Sequence, residues 1–390
     1  MNSDAIKSQY EEWVYPERIF DLEHHLASSF AYHDARELEP LFCKLESDIQ
    51  PSNVLIAGCG TNQAATHALR NPDIDYTAVD ISHSSVNHQK FLKKKYALKN
   101  LTLAVLNIED VWTLNKSYDH IISTGVLHHF QRPDEALKAI THVLNPSGVL
   151  NLMLYATSKR IGIYQLQEAF SLMGLSQTQI HVDLIRSFLN QNLPKTHAAY
   201  DYVQLAKTDL TYDGGIVDTF LNPVDQSYSV LELHELLASC DLTLDQWITP
   251  WLYEPTYFFG SNQTLLKQIK KLKAPEKHHV TDLLTGFLGA HRFLARPTAE
   301  YKNRESKLKD ETSRGNLSLA MHPLCKLVKR PNEKNIDIMH NDQILGVLPD
   351  IIGRSLASYL ESQKLTPSNH TVDKNLAPYL DQLIDIKVIS

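Results

Sequence analysis

The chain has 390 residues with 38 Lys and Arg, 45 Asp and Glu, and 43% hydrophobic residues, a balance that excludes a disordered or fibrous protein. No run approaches the ~18 consecutive apolar residues of a membrane span, and the first residues lack the pattern of a secretory signal. The cysteines Cys43, Cys59, Cys240 and Cys325 form no C-x-x-C pair. We therefore expect no disulfide framework, no membrane partner and a cytoplasmic location.

The formal net charge of -7 is spread unevenly along the chain. Residues 261–334 contain 16 Lys and Arg against 7 Asp and Glu. A basic segment can attract an acidic partner or nucleic acid, but a solvated basic face is the simpler interpretation. The segment lacks the interleaved aromatic residues of a single-strand binding platform, so nucleic acid is an alternative that the sequence does not favour.

Residues 53–155 alternate between strand patterns and helix patterns. The β-rich runs are 53–57, 76–80, 101–106, 118–123 and 148–155, and the helical segments between them are 63–70, 84–96 and 133–143. Strands alternating with helices at this spacing predict right-handed βαβ units. The predicted fold class is therefore α/β, with a doubly wound, mostly parallel sheet. No clean seventh strand is predicted after 242–248.

A glycine turn follows the first predicted strand. Gly58-Cys59-Gly60 separates that strand from a helix, and glycine lets a backbone approach a ligand closely. Asp80 ends the second strand 20 residues later, where a carboxylate can accept hydrogen bonds from both ribose hydroxyls of a nucleoside. Gln63 stands where a dinucleotide fingerprint has its third glycine, which disfavours NAD and a nicotinamide oxidoreductase. A purely structural turn with a helix-capping aspartate is the alternative.

Taken in order, these motifs resemble those of class I S-adenosylmethionine-dependent methyltransferases. The segments that carry the resemblance are 57–61, 79–82, 106–109, 118–129 and 144–148. It implies that S-adenosyl-L-methionine is the cofactor and that a methyl group moves to an N, O or S nucleophile of a small molecule or of a peptide or protein. The alternative is a methyltransferase-like protein that binds the cofactor without catalysis, which the departures at Ala57 and Asn62 allow.

The resemblance also implies roles for individual residues. Gly58 and Gly60 would line the methionine and ribose part of the cofactor, Asp80 would bind the ribose, and Asn107 stands where the family usually has an aspartate that contacts the adenine amine. The full cofactor-binding set is Ala57, Gly58, Cys59, Gly60, Asn62, Asp80, Ile81, Asn107, Ile108, Thr124, Gly125 and Tyr15.

Two histidines follow the fourth predicted strand, near the expected position of the methyl group. His129 and His128 are the candidate catalytic residues, because a histidine can take a proton from an attacking nucleophile. Packing or helix capping is the alternative, since methyl transfer depends heavily on positioning. The adjacent histidine pairs of the chain do not have the spacing of three or four that chelates one ion on a helix, so we expect no metal.

The segment 10–16 is similar to the Y-E-x-x-x-Y-P leader of a bacterial methyltransferase group, which implies a lid over the cofactor. The segment 218–230 is similar to the one that precedes the last core helix in that group. The predicted substrate-pocket residues are Tyr10, Trp13, Tyr155, Asp218 and Tyr228, with ordinary core packing as the alternative.

The predicted domain organisation follows from these assignments. Residues 1–50 form a helical leader, 51–250 form the cofactor-binding domain with a helical cap insertion at 156–229, and 265–390 form a separate, mostly helical module. The apolar patterns at 351–360 and 376–384 suggest that the module is winged-helix-like. The sequence does not predict the oligomeric state.

Overall fold

A computed structural model describes residues 2–28, 33–42, 50–313, 325–329, 335–340 and 343–349. The strands are β1 (Asn53–Ala57), β2 (Asp75–Asp80), β3 (Leu101–Val105), β4 (Tyr118–Thr124), β5 (Leu144–Tyr155), β6 (Leu242–Trp247), β7 (Ala290–Pro297), β8 (Lys326–Lys329), β9 (Asn335–His340) and β10 (Gln343–Pro349). The helices are α1 (Asn2–Glu12), α2 (Leu22–Ser28), α3 (Glu39–Phe42), α4 (Gln63–Arg70), α5 (His83–Lys95), α6 (Pro133–His142), α7 (Thr157–Leu172), α8 (Gln179–Gln191), α9 (Tyr200–Leu205), α10 (Asp213–Phe220), α11 (Val230–Ala238), α12 (Pro255–Phe259), α13 (Gln263–Ile269), α14 (Ala274–Thr285) and α15 (Thr298–Ser313). Short 3-10 turns lie at Ile108–Leu114, Leu127–His129, Asp209–Thr211 and Pro250–Tyr253.

Seven strands form one sheet in the order β3-β2-β1-β4-β5-β7-β6. The strands β1 to β5 are parallel, and β7 runs antiparallel to both β5 and β6. The prediction of a doubly wound, mostly parallel sheet is therefore confirmed. The strand order reverses between β1 and β4, and in such sheets a crevice opens beyond the carboxyl ends of the strands at that point.

The sheet is buried on both faces, which explains the continuous apolar runs of its strands. Along β1, Leu55 and Ala57 pack into one core cluster, whereas Val54 and Ile56 pack into the other. This period of two is what alternating strand side chains require. On the second face, α4 presents a row of small buried alanines to the sheet, so helix and strand approach closely.

The insertion after β5 is helical, as predicted. Helices α7 to α10 enclose a core of their own that includes Phe170, Ile185 and Phe220. The chain then returns to the sheet through α11, whose first turn carries a reciprocal capping box between Ser229 and Glu232. The cap therefore forms a packed helical layer beside the carboxyl ends of the parallel strands.

One part of the predicted domain organisation is wrong. The strand β7 lies inside the segment assigned to a separate, mostly helical module from residue 265, yet it is the central partner of β5 and β6. The charged residues of β7 interrupt the apolar alternation that predicts a strand. They can nevertheless be buried in the sheet because they have partners, as Arg296 shows: it is only 2% exposed and lies 2.8 Å from Asp245. The strands β8 to β10 form a second, antiparallel sheet, so the described part of 325–349 is not helical either.

The predicted helices at 351–360 and 376–384 lie outside the described residues. In the part of the chain that the structure describes, no helix has both the length and the apolar character needed to cross a membrane.

Candidate cofactor and substrate site

A cavity of about 590 Å³ opens at the carboxyl ends of β1 to β5, within the size range of small-molecule sites. Fourteen of the residues predicted for the site line it. These residues are Tyr10, Tyr15, Gly58, Cys59, Gly60, Asn62, Asp80, Ile81, Asn107, Ile108, Thr124, Gly125, His129 and Tyr155. The structure therefore brings together segments that are separated by more than one hundred residues in the sequence.

The turn after β1 needs glycine at two positions. Gly58 and Gly60 have φ values of +83° and +54°, a region that residues with side chains rarely adopt. A Cβ atom at Gly58 would lie 2.4 Å from Cγ2 of Val126, and one at Gly60 would lie 3.0 Å from Cδ of Pro16. The backbone can therefore form this wall of the cavity only without side chains.

Asp80 is held by the backbone on both of its carboxylate oxygens. The Gly60 N–H donates to Oδ2 at 2.8 Å, and the Ser82 N–H donates to Oδ1 at 2.9 Å. Burial raises the pKa of Asp80 above its ordinary value, and the two backbone hydrogen bonds oppose that shift. Each oxygen keeps a further lone pair, so the carboxylate can accept hydrogen bonds from a ribose diol. The glycine wall and this acceptor fit an adenosyl group.

The other end of the cavity contains Thr124 and Gly125. Gln63 donates from Nε2 to Oγ1 of Thr124 at 3.0 Å, and Gly125 has a φ of +75°. Gln63 also lines the cavity, so the residue that replaces a dinucleotide-type glycine contributes a polar wall here. These groups lie where the resemblance places the amino-acid part of the cofactor.

His129 has a defined hydrogen-bonding arrangement. Its Nδ1 lies 2.8 Å from the carbonyl oxygen of Val224, which can only accept, so Nδ1 carries a proton. In the neutral ring, Nε2 then has the lone pair, and it lies 3.9 Å from Oδ1 of Asp218. Asp218 is 2% exposed and also accepts a hydrogen bond from the Tyr10 hydroxyl at 2.8 Å. A proton taken up at Nε2 would therefore face a buried carboxylate.

His128 is placed differently from its neighbour. It is fully buried, does not line the cavity, and stacks on Tyr155 with ring centroids 3.7 Å apart. Burial lowers the pKa of His128 well below its ordinary value, and the nearby His129 and Arg160 add to that shift. The guanidinium carbon of Arg160 lies 4.0 Å from the centroid of the Tyr155 ring, the same ring on which His128 stacks. A group with such a low pKa is a weak base, so His129 is the better placed of the two.

Besides His128, four of the predicted site residues do not line the cavity. Ala57 is buried within β1 in the sheet core, and Asp218 reaches the site only through Tyr10 and His129. Trp13 packs against the core of the cap, and Tyr228 belongs to the main core beside a bridge to Ala156. The binding roles of these residues stay predictions.

The leader that contains Tyr10 and Tyr15 lies against the cofactor loop. Glu11 accepts hydrogen bonds from the backbone N–H groups of His83 and Ser84, at the N-terminus of α5. The Thr61 hydroxyl donates to the Pro16 carbonyl at 3.0 Å. Tyr15 lines the cavity, and its hydroxyl donates to Asp209 of the cap at 3.2 Å. The leader therefore joins the cap to the cofactor loop.

The cavity also includes residues that the sequence analysis did not assign to the site. These are Ile6, Pro16, Gln63, Ser85, Glu109, Val126, Phe130, Gln131, Arg132 and Met153. Two groups of these residues could have been inferred from their neighbours in the sequence. Glu109 directly follows Ile108, and the run Phe130 to Arg132 directly follows His129.

Comparison with known proteins supports the same assignment for the central part of the chain. Residues 55–150 match a family described as a methyltransferase domain. An uncharacterized protein from Synechococcus sp. is 26% identical over 236 residues, which cover 59% of this chain and 57% of that protein. The chain therefore spans a little over half the length of that curated relative.

Two solved structures share the fold. PKMT2 from Rickettsia typhi in complex with AdoHcy aligns with a TM-score of 0.62 at 15% identity, covering 93% of this chain and 76% of that one. A second structure of the same protein aligns with a TM-score of 0.64 at 16% identity, with the same coverage. At these identities the likeness concerns the fold. Together with the matched family, it shows that the chain contains a class I S-adenosylmethionine-dependent methyltransferase domain centred on residues 55–150.

Proposed function

We propose that the whole protein is a catalytic methyltransferase that uses S-adenosylmethionine to methylate an N, O or S nucleophile of a small molecule or of a peptide or protein. The observation that carries this proposal is a single cavity that holds both the Gly58–Gly60 and Asp80 arrangement and the imidazole of His129. The first part suits an adenosyl group, and the second suits the removal of a proton.

When S-adenosylmethionine is bound, its sulfonium supplies a methyl group, whose bond to sulfur breaks as the acceptor nucleophile forms a bond to the methyl carbon. The protein's part is to orient both groups and to accept the proton that the acceptor loses. We assign proton acceptance to Nε2 of His129, since Nδ1 is committed to the Val224 carbonyl. Asp218 would then stabilise the imidazolium that forms.

The aromatic residues around His129 support a position of the sulfonium close to this histidine. The ring of Tyr10 lies edge-on to His129 with centroids 6.4 Å apart, and Tyr155 lies edge-on at 5.9 Å. Both tyrosine rings line the cavity. Aromatic faces attract a positive charge and exclude water, and both effects favour a sulfonium at this end of the cavity.

The test is mass spectrometry of cell extracts incubated with the protein and with cofactor that carries a deuterated methyl group. A labelled acceptor that forms with the wild-type protein is expected to form about 10²-fold more slowly with His129→Gln, the lower end of the usual effect of a general base. The affinity for S-adenosylhomocysteine should stay within about twofold, because His129 is assigned no contact with the adenosyl group.

Two outcomes distinguish the proposed function from its alternatives. Product without any effect of His129→Gln would contradict the proton-acceptor role and leave the methyltransferase activity standing. Binding of S-adenosylhomocysteine with no labelled product in any extract would favour the alternative of a domain that binds the cofactor without catalysis.

A further inference from the structure

A fully buried ion pair lies behind the wall of the cavity that contains Tyr155 and His129. It joins Arg160, near the start of α7, to Asp225, in the segment between α10 and α11. The two side chains are 0% and 1% exposed, and neither residue lines the cavity. Burying two charges costs much of what their attraction returns, so such a pair is weak evidence for stability and calls for another explanation.

Asp225 lies in the segment that holds the turn with the two histidines. On one side of it, the Val224 carbonyl accepts the hydrogen bond from Nδ1 of His129 at 2.8 Å. On the other side, the Gln226 N–H donates to the His128 carbonyl at 3.0 Å. The ion pair therefore fixes the middle of a segment whose flanking residues both hold the histidine turn.

The guanidinium of Arg160 also contacts an aromatic residue of the cavity wall. Its carbon lies 4.0 Å from the ring centroid of Tyr155, and the rings of Tyr164 and Tyr202 lie at 5.6 and 5.8 Å. A guanidinium over aromatic rings is attracted by their faces, so the three tyrosines hold the charge in one place. The single side chain of Arg160 thus contacts Tyr155 and the segment that holds His129.

Gln167, two turns further along α7, adds a link to the proposed partner of the imidazolium. Its Nε2 donates to Oδ2 of Asp225 and to the Thr219 carbonyl, both at 2.9 Å. Thr219 directly follows Asp218 in α10. Helix α7 therefore connects the segment that holds His129 to the helix that carries Asp218.

We propose that Arg160, paired with Asp225, is a positioning residue that keeps the His129 ring in the tautomer with its proton on Nδ1, so that Nε2 can accept the proton of the methyl acceptor. This inference rests on the proposed function, because it concerns the proton acceptor of that reaction. Neither Arg160 nor Asp225 contacts the reacting groups, so their effect passes through the Val224 carbonyl. Locking the groups that hold a catalytic side chain is how a protein keeps its geometry productive.

The experiment removes the pair without leaving an unpaired charge. The double variant Arg160→Met, Asp225→Leu replaces both charges by apolar side chains, a change that is often neutral for stability. Arg160→Lys keeps the charge but lacks the planar fork that contacts Asp225 and Tyr155 together. The control double variant Lys277→Met, Glu254→Leu removes another ion pair, 3.0 Å apart, whose residues do not line the cavity. Melting temperatures show whether each variant is folded.

The first measurement is nitrogen-15 NMR of histidine-labelled protein at alkaline pH, where imidazole is neutral. The signals of His129 are those that disappear in His129→Gln. In the wild-type protein their shifts should be those of the Nδ1–H tautomer alone. In the double variant they should move towards the average of the two tautomers, with Arg160→Lys in between and the control unchanged.

The second measurement is turnover with the labelled acceptor found in cell extracts. The double variant should form product about 10- to 100-fold more slowly, with an affinity for S-adenosylhomocysteine within about twofold of the wild type, because small displacements of a catalytic group act on the rate. Arg160→Lys should lose about threefold to tenfold for the same reason. A pair with only a structural role would change the melting temperature and leave the tautomer as it is.

The inference is wrong if the folded double variant keeps a single tautomer and the turnover of the wild type. If the double variant does not fold, Arg160→Lys decides, since wild-type values of both measurements in that variant also overturn the inference. A wild-type ring that already populates both tautomers has the same consequence. A wild-type protein that forms no labelled product would instead refute the proposed function, and the two failures are distinguishable because the tautomer is measured without turnover.

Discussion

Asp80 connects three parts of the proposed cofactor site. Its carboxylate accepts one hydrogen bond from the glycine turn and one from the start of α5, so it fixes the distance between the ends of β1 and β2. The leader adds a further link, since the Ser82 hydroxyl donates to the Tyr10 carbonyl at 3.1 Å. A ribose bound at Asp80 would therefore contact a site that is already oriented.

Replacing Asp80 by asparagine should weaken the binding of S-adenosylhomocysteine by about 10- to 100-fold, because hydrogen bonds to a charged acceptor contribute about 1.5–3 kcal/mol. Calorimetry of the purified variant gives this number directly. Asp75→Asn is the control, since Asp75 is exposed at the opposite end of the same strand, β2. If the two variants bind equally well, Asp80 is not the ribose ligand.

The residues of this site differ in how well the sequence predicts them. Gly58, Gly60 and Asp80 were predictable, because each ends a strand whose pattern is clear or lies in the turn that follows it. The hydrogen bond between Tyr10 and Asp218 joins residues 208 positions apart, and no local pattern encodes it. The hydrogen bonds between Asn107 and Glu109 depend on side-chain geometry, which sequence spacing does not contain.

Among the elements, the N-terminal leader contacts both the start of α5 and the cap. Glu11 in α1 satisfies backbone donors at the start of α5, where an anionic side chain is also favoured by the helix dipole. Beyond α1, Val14 contacts the cap so closely that a Cβ at Gly214 would lie 2.4 Å from the Val14 carbonyl oxygen. The leader thus closes one side of the cavity, and its predicted function as a lid can be tested by deletion.

Deletion of residues 1–16 should leave a folded protein whose affinity for S-adenosylhomocysteine and whose turnover both fall by at least tenfold. The reason is that Ile6, Tyr10, Tyr15 and Pro16 form part of the cavity wall, so the deletion opens the site to water. Circular dichroism checks the fold, and calorimetry measures the affinity. A lower melting temperature with unchanged low-temperature turnover would mean that the leader is only an anchor.

The strand β7 was not predicted, for reasons that lie in its composition. Its sequence includes His291, Arg292 and Arg296 within a basic part of the chain, and such residues are typical of an exposed segment. In the structure, His291 is fully buried and bonds to both Tyr253 and the Tyr228 carbonyl. Polar side chains of β7 are therefore buried with specific polar partners, and the strand lacks the apolar alternation on which strand prediction depends.

The position of β7 determines where the molecule can be divided. Because β7 lies between β5 and β6, a chain that ends before it leaves β6 without its partner in the sheet and leaves β5 paired with β4 alone. Phe293, Leu294 and Ala295 of β7 are completely buried, so their removal also opens the main core. The predicted boundary at residue 265 would therefore cut through the sheet.

Two truncated chains should behave oppositely. A chain of residues 1–313 keeps the seven-stranded sheet and should unfold cooperatively and bind S-adenosylhomocysteine with nearly the affinity of the full chain. A chain of residues 1–264 should show no cooperative thermal transition, because it lacks β7. Differential scanning calorimetry distinguishes them. Cooperative unfolding of the shorter chain would contradict the assigned importance of β7.

The whole molecule also contains several histidines that are completely buried. His120, His128 and His291 have no exposed surface. Burial lowers the pKa of His120 to about 3 and that of His291 to about 4, and it lowers the pKa of His128 well below its ordinary value. In the unfolded chain the same side chains would titrate near pH ~6.5. Between those limits the unfolded state binds more protons than the folded state.

Stability should therefore fall as the pH decreases from about 6.5 towards 4, by at most about 1.4 kcal/mol per pH unit for each of these histidines. The buried carboxylate of Asp34 has its pKa lowered to about 2, so its contribution is lost only below the unfolded value of ~3.9, and the two pH windows are separate. Chemical denaturation across this range measures the slope. His291→Gln should reduce the slope by up to one proton, whereas exposed His142→Gln should not change it. If the slope of His291→Gln equals that of the wild-type protein, His291 takes up its proton in the folded protein as readily as in the unfolded chain.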